Sequence, residues 1–406
     1  MDGASVVTIK SKILLYKKND VADNVELIEF EEFGFSVVSQ KDIYNIGDKA
    51  IFITPDYCIS NTPLFAEFIA PGGDESKSYL GKIEGKPRRI RAKKFSLHKG
   101  DGISVYSNGI LLPLYEVADF LCMSEERLLE QSSESLSNLL GIEKYEEPEE
   151  PEVIGVSAVN KNTQKKPYPK GVYKTDETNI NLVWNYIENY HQYPITLIGT
   201  EKVDGSSISI GINDEYPDGF IASRNINKEL KIKTVIGRRN KTLLEKIMFW
   251  KKFDLNIYEE KDNDDIFVKA GNYYLDWLKL FRVKNIILRG ELNGVGSKGS
   301  GNKNNPSAKL KTNIKFFYAD YYTSDKIAVK MPYNKFQEFC DLYGFPRVTV
   351  LFNKTFNSRE EIEATCETIF KDKKENEKKI IEGIVLTTPD CKFSCKYMNN
   401  EYDSKK

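Results

Sequence analysis

The chain has 406 residues, of which 40% are hydrophobic and 29% are charged. This length allows two or three domains, and this balance excludes a wholly disordered chain. The net charge is −1. The chain has only two histidines, His98 and His191, and this low number nearly excludes Ser-His-Asp hydrolysis and histidine-rich zinc sites.

The first residues lack the charged-then-apolar pattern of a signal peptide. No apolar run approaches the roughly 18 residues of a membrane helix. The six cysteines are irregularly spaced, which favours a reducing compartment over a disulfide framework. We therefore expect an intracellular protein of the cytoplasm or nucleus that is not secreted and has no membrane partner.

Residues 5–115 contain short β-prone runs separated by polar, Gly, Asn or Asp residues. Such a series of short strands favours a small barrel. We predict an OB-like β-barrel module over residues 1–118.

One run in this module is strongly basic. Between Lys86 and Lys99 there are seven Lys or Arg residues and no acidic residue. Arg89, Arg91 and Lys93 alternate, which predicts that they share one face of a strand. A solvated edge strand that resists aggregation and a track for a nucleic-acid backbone both explain this pattern. As candidate nucleic-acid ligands we take Arg89, Arg91 and Lys93.

Residues 119–170 are predicted to be a helix followed by a linker. Leucines recur at helical spacing up to Leu140, and Gly141 is a helix-stop signal. From 143 to 170, repeated prolines and blocks of like charge indicate unpacked chain. The remaining residues, 171–406, form the second predicted domain.

The charge of the chain differs between its two parts. Residues 1–150 hold 17 Lys+Arg and 26 Asp+Glu, a balance of −9. The totals of 59 and 60 leave 42 and 34 for residues 151–406, a balance of +8. A polyanionic partner is therefore expected to favour the second part.

The candidate chemistry centres on Lys202 and Asp204, in a Lys-x-Asp-Gly turn between two predicted strands. By itself this match is weak, because a hairpin with Asp-Gly turn chemistry explains it equally well. The match gains weight from segments that follow in order. They are Ser223-Arg224-Asn225, Arg289-Gly290-Glu291, the aromatic strand 315–321, Glu382-Gly383 and Lys392 to Lys396.

This ordered set resembles the covalent nucleotidyltransferase superfamily, which comprises DNA ligases, RNA ligases and mRNA capping enzymes. The resemblance covers residues 196–400 and implies a catalytic domain of antiparallel sheets flanked by helices. It makes the whole chain an α+β protein in which an OB-like barrel precedes this domain. It also implies that Lys202 attacks the α-phosphorus of a nucleoside triphosphate and forms a lysyl–nucleotide intermediate.

Further roles follow from the resemblance residue by residue. Lys396 and Asp204 would join Lys202 as catalytic residues. Glu382, Asp204 and Glu291 would hold Mg²⁺ or Mn²⁺, directly or through water. The nucleotide would be bound by Glu201, Val203, Ser207, Arg224, Glu291, Phe317, Glu382 and Lys396.

The lysine must be neutral to attack, although its ordinary pKa is about 10.4. We expect Lys396, Arg224 and a bound cation to lower it. Two positions depart from the superfamily pattern. Ala319 stands where an aromatic residue usually stacks on the base, so we expect Phe317 to substitute. In the last motif, Ser394 replaces a lysine that many relatives have.

The arrangement of domains narrows the resemblance. Ten residues follow Lys396, which we take as too few for the OB domain that DNA ligases and capping enzymes place there. The chain instead resembles a group of nick-sealing RNA ligases with an N-terminal OB module. Residues 89–94, 107–114, 139–146 and 296–304 also look like that group. The Gly-, Lys- and Asn-rich segment 296–304 is either a flexible surface loop or a backbone contact through Lys298, and we favour contact.

This likeness implies an ATP-dependent RNA ligase that seals 3′-OH/5′-phosphate nicks in duplex RNA or an RNA/DNA hybrid, and we expect it to act as a monomer. Two alternatives stay open. One is a GTP-dependent mRNA guanylyltransferase. The other is a non-catalytic nucleic-acid repair scaffold, an alternative that stays open because Ala319 replaces the usual base-stacking aromatic residue.

Overall fold

Two strand-rich parts, each with its own hydrophobic cores, make up the protein. The structure, a computed structural model, describes residues 3–145, 166–174, 176–248, 255–297, 303–323 and 327–404. Its mixture of antiparallel sheets and helices confirms the predicted α+β class. No helix in these ranges is both long and apolar enough to span a membrane.

The first part contains most of its strands before residue 114 and most of its helices after it. Its strands are β1 (Ala4–Lys17), β2 (Asp20–Phe30), β3 (Ser36–Gln40), β4 (Lys49–Ile53), β5 (Tyr57–Cys58), β6 (Gly81–Ile83), β7 (Lys86–Arg89), β8 (Lys93–His98), β9 (Ser104–Ser107), β10 (Ile110–Pro113) and β11 (Glu143–Lys144). Its helices are α1 (Ala66–Ile69), α2 (Leu114–Phe120), α3 (Glu125–Leu129) and α4 (Ser133–Leu140).

The main sheet of this part has the order β10-β4-β1-β2-β3, and β8 joins β1 to β9. The long strand β1 pairs with β4 through its first half and with β2 through its second half. The outermost strands of this order, β10 and β3, approach each other at one point. There the Asn108 N–H, just before β10, donates to the carbonyl of Ser36 in β3 at 2.9 Å. Within residues 3–145, however, no strand ladder joins β10 to β3 to close a barrel, so the predicted OB-like β-barrel is not confirmed.

The single helix predicted up to Leu140 is three short helices. Cys122 has φ of +51°, and Ser124 and Ser132 each accept a hydrogen bond from a backbone N–H in the following turn. These serines restart the chain as N-caps. The predicted stop at Gly141 is confirmed by its left-handed φ of +64°.

The basic run is divided between two sheets, so its prediction as one continuous strand was wrong. β7 belongs to the four-stranded sheet β11-β5-β7-β6, whereas β8 belongs to the main sheet. Ile90 lies between them and is fully buried in the core of this part. Arg89 and Lys93 therefore lie on different strands.

The second part has a larger set of elements. Its strands are β12 (Lys166–Pro167), β13 (Thr178–Asn179), β14 (Ile195–Lys202), β15 (Ser206–Ile212), β16 (Phe220–Ser223), β17 (Ile226–Asn227), β18 (Lys231–Arg238), β19 (Asn256–Asp262), β20 (Ile286–Asn293), β21 (Asn313–Tyr322), β22 (Ala328–Lys330), β23 (Val350–Phe356), β24 (Gly383–Thr387) and β25 (Ser394–Met398). Its helices are α5 (Trp184–Tyr186), α6 (Leu243–Ile247), α7 (Ile266–Leu280), α8 (Tyr333–Tyr343), α9 (Arg359–Asn376) and α10 (Asn400–Ser404).

Two sheets of this part position the candidate site. The first, here called the Glu291 sheet, has the order β12-β17-β16-β15-β20-β21-β22. The second, the Lys202 sheet, has the order β13-β25-β24-β14-β23. A separate two-stranded ribbon is formed by β18 and β19.

Each sheet buries one face against helices. Ile208, Leu288 and Phe316 of the Glu291 sheet pack with residues of α7 and α8. Leu197, Ile384 and Cys395 of the Lys202 sheet pack with residues of α9. Because side chains alternate along a strand, the residues between them point to the opposite faces. Those faces carry the polar residues that the sequence singled out.

Candidate active site

Lys202 is the last residue of β14 and lies beside the start of β24. It pairs with Gly383, so the residue before that glycine, Glu382, comes next to it. Lys202 Nζ is 2.6 Å from Glu382 Oε2, and both side chains are largely buried. Two motifs that are 180 residues apart in the sequence therefore form one ion pair.

Three carboxylates determine the protonation of Lys202. Burial by itself lowers the pKa of its ammonium group. The charges of Glu382, Glu291 and Asp204 outweigh burial and hold that pKa above its ordinary value. The lowering that we expected from neighbouring cations is therefore outweighed, and Lys202 is charged at neutral pH.

Glu291 lies on β20 and pairs with Ser207 of β15. Burial raises the pKa of its carboxyl to about 8, and the charges of Glu382 and Asp204 act in the same direction. Lys202 and Arg224 oppose the rise without cancelling it. The group therefore titrates just above neutrality, which is unusual for a glutamate and typical of functional sites.

Lys396 lies on β25 and pairs with Val385 of β24. Burial lowers the pKa of its ammonium group, and the positive charge of Lys202 lowers it further. Among the carboxylates that oppose this lowering is Asp56, which belongs to the first part of the chain. The two lysines are thus close enough for the charge of Lys202 to act on Lys396.

A small hydrogen-bond network positions Asp204. The buried Tyr402 hydroxyl of α10 donates to Asp204 Oδ2 at 2.5 Å. Asn305 Nδ2 donates to the Asp204 carbonyl at 3.1 Å, and Asn304 Nδ2 donates to the Tyr402 carbonyl at 3.2 Å. Sequence reasoning missed Tyr402, because nothing in its local pattern links it to a motif 198 residues earlier.

The other predicted nucleotide ligands lie around this centre. Glu201, Val203 and Ser207 flank Lys202 and Asp204 and are half-buried. Arg224 follows β16, and its Nη2 is 2.8 Å from Asp176 Oδ2 in an exposed ion pair. The positive charge of Arg224 also opposes the rise in the pKa of Glu291, so Arg224 contributes to the electrostatics of the same site.

A bulge in β21 changes which aromatic residue faces the site. The pairing with β20 shifts between Arg289 and Gly290, which leaves Phe317 as the extra residue. Ala319 then joins Phe316 in the buried core. The shift places Tyr318 opposite Arg289, on the face that carries Glu291. The bulge breaks the simple two-residue alternation between Phe317 and Ala319, and the substitution of Phe317 for Ala319 stays a prediction.

A cavity of about 490 Å³ lies between the edges of the two sheets. Tyr318 and Asp320 line it from the Glu291 sheet, and Ser394 lines it from the Lys202 sheet. Ser394 is two residues before Lys396 and therefore on the same face of β25. Tyr173 and Phe393 add further aromatic surface, so the cavity suits a flat, partly apolar group with polar edges.

A buried ion pair supports the wall of this cavity. Arg289 is fully buried, and its Nε and Nη2 lie 2.8 and 2.7 Å from Asp320 Oδ2. Its Nη1 donates to Ser209 Oγ at 2.9 Å and to the Tyr168 hydroxyl at 3.1 Å. The segment before β13 is thereby tied to the Glu291 sheet.

The carboxylates offer oxygen ligands but no complete protein cage. Among the described residues, no group of three or more His, Cys, Asp or Glu side chains is close enough to hold a metal by itself. Mg²⁺-like cations usually keep several waters and bind through one or two carboxylates and a substrate phosphate. Glu382, Glu291 and Asp204, gathered around Lys202, fit that mode of binding.

The predicted nucleic-acid ligands have different surroundings. Arg89 Nη2 is 2.8 Å from Asp56 Oδ1, and its guanidinium lies over the Tyr145 ring. Lys93 lies over two aromatic rings, and burial lowers its pKa. Arg91 is half-buried, and Lys298 lies outside the described residues. Arg89 and Lys93 therefore contact neighbouring side chains and lie on different strands, so these two do not form one exposed track.

Replacing Glu382 with glutamine should lower the pKa of Lys202. The substitution removes the negative charge 2.6 Å from Nζ and keeps a side chain of similar size. An opposite charge at this distance shifts a pKa by about one to three pH units. The measurement is the pH dependence of Lys202 acylation, followed by mass spectrometry without nucleotide or metal. Glu338→Gln, on α8, is the control, and an unchanged profile in Glu382→Gln would contradict the assigned ion pair.

A sequence model described as RNA ligase matches residues 195–398, which is 204 of the 406 residues. The match runs from the start of β14 to the end of β25 and so contains Lys202, Glu291, Glu382 and Lys396. No curated protein matches the chain.

Solved structures of an RNA ligase from Naegleria gruberi are similar to the chain over its whole length. An apo variant of that enzyme has 18% identity and a TM-score of 0.67, covering 99% of this chain and 98% of that chain. A variant with ATP and Mn has the same identity and TM-score, covering 100% and 99%. A structure with PPi has 18% identity and a TM-score of 0.66, covering 99% and 98%. At this identity the likeness establishes a shared fold.

Proposed function

The chain belongs to the RNA ligase family, and we propose that it uses ATP to seal 3′-OH/5′-phosphate nicks in duplex nucleic acid. One observation carries this proposal. Lys202 forms a buried ion pair with Glu382, the charges of Glu291 and Asp204 act on it, and its own charge acts on Lys396. A lysine nucleophile for phosphoryl chemistry needs such neighbours, because its protonation and the charge of the phosphate must both be controlled.

In the first step, Lys202 Nζ loses a proton and its lone pair forms a bond to the α-phosphorus of ATP. The bond from that phosphorus to the bridging oxygen breaks, and pyrophosphate leaves. Lys396 stabilises the negative charge on the α-phosphate oxygens. Its lowered pKa is consistent with a partly buried cation that gains from an anionic ligand.

Glu382, Glu291 and Asp204 would hold the divalent cation, directly or through water. When bound, that cation supplies positive charge that offsets the carboxylates around Lys202 and the phosphates of ATP. The structures of the Naegleria gruberi ligase with ATP and Mn support ATP and a divalent cation as the cofactors of the present chain. Because the carboxylates raise the pKa of Lys202, offsetting their charge favours the neutral amine.

The cavity between the sheets is proposed to receive the adenosine of ATP. Tyr318 is the site-facing aromatic residue of β21 and is the better candidate for stacking on adenine than Phe317. Arg224 and Glu291 remain proposed contacts to the sugar and its surroundings. Glu201, Val203 and Ser207 remain proposed contacts beside the nucleophile.

Two further steps complete the reaction. A 5′-phosphate oxygen at the nick attacks the phosphorus of lysyl-AMP, which forms an AMP-capped 5′ end and releases Lys202. The 3′-hydroxyl then attacks the 5′-phosphorus, a 3′–5′ phosphodiester forms, and AMP leaves. We propose that the substrate is nicked duplex RNA or an RNA/DNA hybrid and that the enzyme acts as a monomer. We also propose that the first part of the chain is the OB-like module of this ligase.

Label transfer from α-labelled ATP, with GTP in parallel, tests this function. We expect the protein to become labelled by ATP in the presence of Mg²⁺ or Mn²⁺, and then to seal a nick whose 3′-hydroxyl side is RNA. Labelling by GTP alone would favour a guanylyltransferase. Absence of labelling by either nucleotide would favour a non-catalytic scaffold.

A further inference from the structure

The two-stranded ribbon of β18 and β19 stands apart from the rest of the second part. No other strand in the described ranges pairs with either of its strands. None of the residues of β18 or β19 belongs to a hydrophobic core, and all seven residues of β19 are exposed. The eight residues of β18 give the ribbon a length of about 23 Å.

The base of the ribbon is fixed to the Glu291 sheet. Its first strand begins four residues after β17, which is next to the outermost strand β12 of that sheet. Asn263 N–H donates to the Leu230 carbonyl at 3.0 Å, and Asn263 Nδ2 donates to the Glu229 carbonyl at 2.8 Å. Lys228 Nζ lies 2.9 Å from Asp265 Oδ2. These contacts join the two ends of the ribbon at its base and so fix the base of the ribbon to the rest of the second part.

Charge differs between the base and the tip. Near the base, Lys231 pairs across the ribbon with Asp262, and Lys233 pairs with Glu260. Toward the tip, Glu245 is the one carboxylate among residues 234–248 and 255–258, and it is hydrogen-bonded to Arg239. The tip cations are Arg238, Arg239, Lys241 and Lys246. Positive charge is thus balanced at the base and in excess at the tip.

The ribbon also exposes apolar and aromatic side chains. Val235, Ile236, Ile257 and Tyr258 are each more than a third exposed. An isolated two-stranded ribbon is at best marginally stable in water, and exposed edges tend to recruit other chains. A ribbon with this composition is better explained by a partner that covers it, and the charge of its tip requires that partner to be anionic.

We propose that the tip of this ribbon binds the sugar–phosphate backbone of the substrate duplex, on one arm away from the nick. The proposal rests on the proposed function, because the substrate is taken to be a duplex that contains RNA. The minor groove of A-form RNA is wide and shallow and displays its 2′-hydroxyls, so a ribbon tip can lie against it. Asn256 and Tyr258 provide polar groups there, and Arg238 and Lys241 provide phosphate contacts.

The double variant Arg238→Glu with Lys241→Glu tests this surface. Both residues are exposed, and neither is near Lys202 in the sheets. We expect binding to a long-armed nicked duplex to weaken at least tenfold. The salt slope should flatten by about one for each phosphate that the protein no longer neutralises. The matched control is Lys335→Glu with Lys371→Glu, which makes the same charge change on α8 and α9.

Arm length provides the second measurement. Because the tip is proposed to contact one arm of the duplex, shortening that arm should weaken duplex binding by the unmodified protein and by the control. It should leave duplex binding by the tip variant nearly unchanged. Self-adenylylation by ATP should be equal in all three proteins. Binding that is equal for the tip variant and the control at every arm length would overturn the ribbon assignment. Absence of labelling in the unmodified protein would instead overturn the proposed function.

Discussion

Replacing Lys202 with alanine is expected to reduce labelling of the protein by α-labelled ATP to background. The substitution removes Nζ, the atom that this site offers for a bond to the α-phosphorus. Lys396 does not replace it, because it lies on another strand and is assigned to the phosphate oxygens. The measurement is the label retained on denatured protein after incubation with ATP and Mn²⁺. Retained labelling would exclude Lys202 as the nucleophile.

Three controls separate chemistry from folding. Lys354→Ala changes a lysine of β23, which pairs with β14, and its Nζ lies over the Phe356 ring away from the cavity. It should label normally. Lys202→Arg keeps the positive charge beside Glu382 but stays protonated, so it should also fail to label. Lys202→Ala should still seal a nick that is already adenylylated, since that step uses no lysyl intermediate.

The central residues of the site could be predicted because each one lies in or next to a strand with a distinctive local pattern. Lys202 ends β14, Glu382 immediately precedes β24, and Glu291 lies in β20. Their order along the chain is enough to suggest that they act together. The structure brings them together through strand pairing, with Lys202 directly opposite Gly383.

Other parts of the site depend on features that leave no local mark. The bulge at Phe317 adds one residue to one strand, and an aromatic run reads the same with or without it. Tyr402 is far along the chain from Asp204, and Asp56 is far from Lys396, so only the folded chain brings each pair together. The prediction for the basic run fails for a related reason. Strand β7 ends at Arg89 and β8 begins at Lys93 in another sheet, and the alternation of basic residues runs across both without a break.

The largest stability effect is expected from Asp320→Ala. Arg289 is fully buried, and two of its nitrogens lie within 2.8 Å of Asp320 Oδ2. Without Asp320, the guanidinium keeps its charge, while Ser209 and Tyr168 offer only neutral oxygens. Breaking a buried pair on one side costs about 3–5 kcal/mol in the free energy of unfolding. Urea titration followed by tryptophan fluorescence would measure the loss.

An exposed pair of the same chemistry provides the contrast. Arg347 Nη2 is 2.8 Å from Asp341 Oδ1, but most of the Asp341 side chain is exposed. Asp341→Ala should cost about 0–1 kcal/mol, because water replaces the lost carboxylate. The double variant Arg289→Met with Asp320→Leu should lose less stability than Asp320→Ala, because it leaves no buried charge unpaired. Equal losses for Asp320→Ala and Asp341→Ala would show that the Arg289 charge finds solvent or another partner. In that case the wall of the cavity does not depend on this ion pair.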